Sequence, residues 1–326
     1  MIVRILLLLL AALVACNEPW QSPSGPDAPP GHTEPPEPPE PPFNPGPQLD
    51  LRYAEIVSAF ALNSRDEQIQ RQFLRSARNR GYDTVRMCVE LREWNVYPAF
   101  RDRGPYLYGQ AALDAYENTL KVLADEGMSA LVMTICSDLR LRGTNQERVE
   151  WVRAIARRTR GYENVAFEPN EVWHPTSVFR NDQAHIRELI SVARSASGGL
   201  MSGADQNIGT RFSSQPHRYQ YDNRWGSDFK SFHPWRYTSE RDPDPPTRAD
   251  VEEIVRQNGG WVVFSETIAY TEDPGLDAAT GLYTSNREVI NALMRACRPR
   301  YGCTWTFHME EGLYADGPIS WAPQEF

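Results

Sequence analysis

Val165-Ala166-Phe167-Glu168-Pro169-Asn170-Glu171 is the stretch from which the rest of this chain can be read. Its β-branched and aromatic side chains favour a pleated, buried backbone, so residues 165–170 are expected to form a strand. That strand delivers Asn170-Glu171 at its end. A second run, Trp261-Val262-Val263-Phe264-Ser265, ends the same way on Glu266. Strand ends matter because a parallel barrel carries its chemistry at the C-terminal ends of its strands.

Short β-rich runs alternate with helical segments on either side of this stretch, the pattern of a parallel α/β fold. Strands are expected at 54–60, 84–89, 130–135, 165–170, 200–203, 228–233, 261–265 and 303–308. Helices are expected near 65–80, 111–126, 145–159, 182–196, 248–258 and 286–297. Ser285 with Glu288 and Thr247 with Asp250 have the spacing of capping boxes, which mark two of the helix starts. Eight strands favour a closed (β/α)8 TIM barrel over an open doubly wound sheet. Two features strain the pattern. Residues 206–225 carry no helical period where a helix should lie between strands five and six. Only eighteen residues follow strand eight, so the last βα unit is incomplete or replaced.

The second strand alternates. Val85, Met87 and Val89 share one face, suited to the helix layer, and Arg86, Cys88 and Glu90 share the other, facing inward. An inward arginine needs a partner, because an unpaired buried charge is heavily penalised. An active-site carboxylate is one partner; the alternative is an internal ion pair of Arg86 with Glu168.

The N-terminal segment is of another kind. Arg4, the apolar run 5–14 and Leu13-Val14-Ala15-Cys16 read as an export signal over residues 1–16. A cysteine directly after such a site resembles the bacterial lipobox, which implies lipidation of Cys16 and anchoring to a membrane. By the same analogy Asn17, standing where Asp would hold the protein back, implies the outer membrane of a Gram-negative bacterium. Residues 17–50 are Pro-rich and hold Glu18, Asp27, Glu34, Glu37, Glu40 and Asp50 with no Lys or Arg. Such a segment forms an extended, self-repelling tether. Residues 51–326 remain for a domain, close to the about 250 typical of a barrel.

The whole chain carries −9, of which Arg4 supplies +1 and the tether acids −6, leaving −4 for the domain. Nothing in that balance points to nucleic acid. Four cysteines remain beside Cys16, an even number in an oxidising compartment. Cys297 and Cys303 flank a short turn and are the better disulfide candidates. Cys88 and Cys136 lie on neighbouring expected strands and either pair or remain buried thiols. No Cys/His spacing suggests a metal, and no cofactor motif is present.

Two carboxylates on separate strand ends are what glycoside hydrolysis requires: one protonates the leaving oxygen while the other attacks or activates water. The ordered set Arg86, Asn170-Glu171, His233, Glu266 and Trp305, on strands two, four, six, seven and eight, resembles the retaining glycosidases of clan A. The cellulase and mannanase group called family five is nearest. That resemblance implies Glu171 as acid/base, Glu266 as nucleophile and Asn170 on the sugar 2-hydroxyl. It further implies that Arg86 keeps Glu266 ionised, His233 positions the nucleophile or the sugar, and Trp305 floors the cleavage subsite.

Loop aromatics, Trp173 and Trp235 among them, suit stacking on a carbohydrate substrate. The run Asp205, Gln206, Asn207 after strand five suits a subsite wall. Three positions depart from the family pattern: Val172 follows Asn-Glu in place of proline, Cys136-Ser137-Asp138 replaces a strand-three histidine, and His233-Pro234-Trp235 replaces His-x-Tyr. Two other readings use the same residues. One is a transglycosylase; the other is a surface glycan-binding lipoprotein without turnover.

Overall fold

The computed structural model describes residues 49–89, 109–135, 144–169, 182–208, 221, 223–234, 248–270, 297 and 302–309. Within them lie eight strands: β1 Ile56–Ser58, β2 Thr84–Cys88, β3 Ser129–Met133, β4 Val165–Glu168, β5 Asp205–Ile208, β6 Ser231–Pro234, β7 Val262–Tyr270 and β8 Cys303–Met309. Five helices alternate with them: α1 Glu67–Asn79, α2 Gly109–Asp125, α3 Asn145–Arg158, α4 Gln183–Ser197 and α5 Arg248–Gln257. The sheet is parallel and runs in the order β4-β3-β2-β1-β8-β7-β6-β5.

Helix starts are fixed locally. The Asp66 carboxylate accepts from the Ile69 N–H at 2.9 Å at the head of α1, and Asp182 accepts from the His185 N–H at 2.9 Å at the head of α4. The capping box found here is Thr144 with Glu147, at the head of α3. Thr247, Ser285 and Glu288 lie outside the described residues, as does nearly all of the helix expected at 286–297. Between β5 and β6 the described residues hold only a 3-10 turn at Asn223–Trp225.

One correction concerns strand five. It is Asp205–Ile208, not 200–203. The expected segment instead supplies a single parallel bridge, Phe167↔Ser202, which joins the two ends of the sheet. The Phe167 N–H bonds to the Met201 carbonyl and the Gly203 N–H to the Phe167 carbonyl, both at 2.9 Å. Gly203 is required here by close approach. A Cβ would stand 2.9 Å from both the Phe229 ring and the Phe229 carbonyl oxygen.

Strands β1 to β4 are buried on both faces. Val57, Val85, Met87, Val132, Val165, Phe167 and Phe264 pack against helix residues such as Leu74, Leu120, Val152 and Leu189 in the larger core. The opposite face begins with a smaller apolar cluster of Leu49, Leu51, Ile56, Leu131, Ala166, Phe229 and Val263. The segment before β1 belongs to that cluster: Leu49 is buried, and its N–H bonds to the Glu163 carbonyl at 3.1 Å. Cys297 and Cys303 form a disulfide at the start of β8, with Cα atoms 4.7 Å apart. Cys88 is also disulfide-bonded, to a partner outside the described residues.

Gly203→Ala is expected to cost about 1–3 kcal/mol, because the Phe229 backbone cannot yield as a flexible side chain would. Urea denaturation followed by circular dichroism measures it; an unchanged midpoint would mean that the bridge tolerates a Cβ.

Candidate active site

Beyond the small apolar cluster, the inner face of the sheet turns polar. Its residues come one per strand at the two-residue period: Arg86 from β2, Glu168 from β4, Asp205 from β5, Ser231 from β6 and Ser265 from β7. All five are fully buried. Arg86 Nε donates to Glu168 Oε2 at 2.6 Å, and Arg86 Nη2 lies 4.0 Å from Asp205 Oδ2. The guanidinium also sits over the Phe60 ring, 5.4 Å from its centroid. The Ser231 hydroxyl lies 2.7 Å from Glu168 Oε1 and 3.2 Å from Asp205 Oδ1, bridging the two carboxylates. The Ser265 hydroxyl approaches Asp205 Oδ1 at 2.7 Å and the Phe232 carbonyl at 3.2 Å.

The internal ion pair of Arg86 with Glu168 is thus present, and Arg86 is committed to it through Nε. Among the described residues, one guanidinium and two acids meet here, all fully buried. Burial raises the proton affinity of Glu168 above the ordinary carboxyl range, against the pull of Arg86, and the Asp205 charge raises it further. The Ser231 hydroxyl is within donating distance of a carboxyl oxygen on either side.

Asp205 is the residue that sequence reasoning misplaced. It is a buried strand residue at the start of β5, not part of a loop wall. The polar run Asp205-Gln206-Asn207 hides the strand. The signal that points to Asp205 is charge, since an inward Arg86 facing Glu168 makes any nearby inward acid part of the same balance. Gln206 and Asn207 follow it in β5, in register with Phe232 and His233.

Of the other expected site residues, His233 falls near the end of its strand, but Trp305 and Glu266 do not: β7 continues to Tyr270 instead of ending at 265, because its pairing with β8 resumes beyond Glu266. His233 stands in β6 two residues after Ser231. Trp305 stands in β8 in register with Phe264. Glu266 lies in β7 within an irregularity: Phe264 pairs with Trp305 and Ile268 with Phe307, so four steps along β7 oppose two along β8. Bulges of this kind re-aim side chains and recur beside active sites. Asn170 and Glu171, one and two residues beyond the last described residue of the β4 segment, lie outside the described residues, as do Glu90, Trp173, Trp235, Cys136 and Cys16.

No protein-family model and no curated protein matches this chain. Its fold does match solved structures. A glycoside hydrolase family 5 protein from Bacteroides vulgatus superposes with a TM-score of 0.55 at 12% identity, over 82% of this chain and 62% of that one, so this chain spans under two thirds of that protein. A hyperthermophilic endo-β-1,4-glucanase in complex with substrate gives 0.52 at 11% identity, covering 83% and 94%. Endo-glycoceramidase II from a Rhodococcus species gives 0.51 at 13% identity, covering 83% and 74%. This chain therefore shares the parallel α/β fold of those enzymes.

Removing Glu168 takes away the carboxyl group that Arg86 Nε and the Ser231 hydroxyl bond to, so Glu168→Ala is expected to destabilise by about 1–3 kcal/mol. The sign of the pH effect follows from the raised proton affinity. Glu168 adds stability below the ordinary value of 4.5, and this is lost as pH rises through its folded-state value. Compared with Glu168→Gln, the wild-type protein should lose relative stability from pH 4.5 upward. Denaturant titrations of both proteins across that range check it, and a flat or rising difference would contradict the raised proton affinity of Glu168.

Proposed function

We propose that this chain is a retaining glycoside hydrolase built as a (β/α)8 barrel and acting on a β-linked oligo- or polysaccharide. The observation that supports the reading is the placement of Glu266 in the β7 bulge, while Asn170-Glu171 follow β4 after Pro169 in the sequence. The fold shared with family 5 enzymes supports it.

In this mechanism the Glu266 carboxylate attacks the anomeric carbon. The glycosidic C–O bond breaks as Glu171 gives its proton to the leaving oxygen, and a glycosyl ester forms on Glu266. Water then attacks the same carbon, Glu171 accepts the water's proton, and the ester bond breaks to return the Glu266 carboxylate. Asn170 holds the 2-hydroxyl, a contact that strengthens in the transition state. His233 steadies the nucleophile or the sugar, Trp305 floors the cleavage subsite, and Trp173 and Trp235 stack on sugar faces. The reading requires carboxyl groups of Glu171 and Glu266 roughly 5–5.5 Å apart; an inverting pair would stand roughly 6.5–9.5 Å apart.

The same proposal covers the N-terminal segment. Export through residues 1–16, lipidation at Cys16 and an acidic Pro-rich tether over 17–50 would hold the domain outside the cytoplasm, on the outer membrane.

Incubation of the protein with a panel of activated 2-deoxy-2-fluoro glycosides should give a covalent adduct, seen by intact mass and mapped to Glu266. Glu171→Gln and Glu266→Gln should each abolish nearly all turnover while sugar binding persists. An adduct on another residue would overturn the assignment of the nucleophile. Sugar binding with no adduct, unaffected by either substitution, would favour the glycan-binding lipoprotein.

A further inference from the structure

The backbone around Glu266 has little ladder support. On the β6 side, β7 pairs as far as Phe264, opposite Phe232. On the β8 side it also pairs at Phe264 and resumes only at Ile268. Ser265, Glu266 and Thr267 fall between those registers. A bulge left to itself has several backbone arrangements of similar energy, so a nucleophile carried on one needs a further restraint to hold a single direction.

That restraint is visible one residue earlier. The Ser265 hydroxyl reaches the Phe232 carbonyl of β6 at 3.2 Å, on the side where the backbone ladder has ended. It also reaches Asp205 Oδ1 at 2.7 Å, a contact within the range of a charge-assisted hydrogen bond. Asp205 in turn is fixed by its place in β5, by Ser231 at 3.2 Å and by the Arg86 guanidinium at 4.0 Å. The bulge is thereby tied, through one buried side chain, to strands β5, β6, β2 and β4. Nothing in glycoside chemistry asks for an acid at this depth, since Asp205 is fully buried and lies beneath the strand ends.

We infer that Asp205 is a positioning residue for the nucleophile: acting through the Ser265 hydroxyl, it fixes the bulge of β7 and so the direction in which Glu266 leaves the strand. The chemical half of this inference rests on the proposed role of Glu266; the structural half does not. Asp205→Asn keeps the size of the side chain and leaves Glu168 bonded to Arg86. Ser265→Ala removes one hydroxyl at nearly constant volume.

The test compares the full-length protein, purified in detergent, with Ser265→Ala, Asp205→Asn and Ser265→Thr. Hydrogen exchange of peptides spanning Val262–Tyr270 is read by mass spectrometry. Loss of a hydrogen bond to a charged group should speed exchange at residues 265–267 by about tenfold or more in the first two variants. Peptides from β2 and β3 should be unaffected, and Ser265→Thr, which keeps the hydroxyl, should behave as wild type. Unchanged exchange at 265–267 in both Ser265→Ala and Asp205→Asn overturns the inference.

The same proteins are assayed on aryl β-glycosides. A fall in kcat of about tenfold with KM within about twofold, restored by Ser265→Thr, supports positioning of the reacting group, because uniform loss of binding would raise KM instead. Full kcat in both variants overturns the inference even if exchange changes. If exchange changes as expected and the wild-type protein turns over no glycoside, Asp205 still fixes the bulge and it is the glycosidase reading that falls.

Discussion

Buried ion pairing sets the terms for the inner face of this sheet: Arg86 bonds to Glu168 at 2.6 Å and lies 4.0 Å from Asp205, with all three fully buried. Two serines supply short hydroxyl bridges between these acids and the neighbouring strands. Ser231 and Ser265 are thus as necessary as the charges. A hydroxyl both donates and accepts, so Ser231 can serve either carboxyl.

The inner face is layered in consequence. At the N-terminal end of the strands Leu49, Leu51, Ile56, Leu131, Phe229 and Val263 exclude water from below. The polar cluster lies on this apolar base, and the expected chemistry lies beyond it. The base gives the cluster its low dielectric, which makes its interactions strong and its unpaired members costly. A change in the apolar base would reach the site through the cluster, by admitting water around Arg86.

Much of this was legible in the sequence because it follows from period. The two-residue alternation of Thr84–Cys88 is enough to turn Arg86 inward, but it leaves Glu168 only as the alternative to an active-site carboxylate, and the structure shows the pair with Glu168. Helical period placed α1 to α5 to within a few residues. Three things were not legible, each for a physical reason. Strand five was read at 200–203, because a strand that faces a charged cluster carries polar residues and imitates a loop. The capping box at Thr144 was passed over, while two others of the right spacing were noticed, because spacing does not report backbone geometry. The β7 bulge belongs to the pairing of two strands, and no single segment encodes it. Asn170 and Glu171, the pair that opened the reading, lie just beyond the last described residue of the β4 segment.

The bridge at Phe167 and Ser202 has a meaning beyond topology. Every other junction in the sheet is a ladder of two or more register pairs, but β4 meets the segment before β5 at one. That junction is a seam, and Glu168 and Asp205 stand on its two sides. Where backbone stitches are scarce, Ser231 supplies a side-chain stitch from one carboxyl to the other. At this point of the wall, side-chain hydrogen bonds take over part of the joining that backbone pairing does elsewhere.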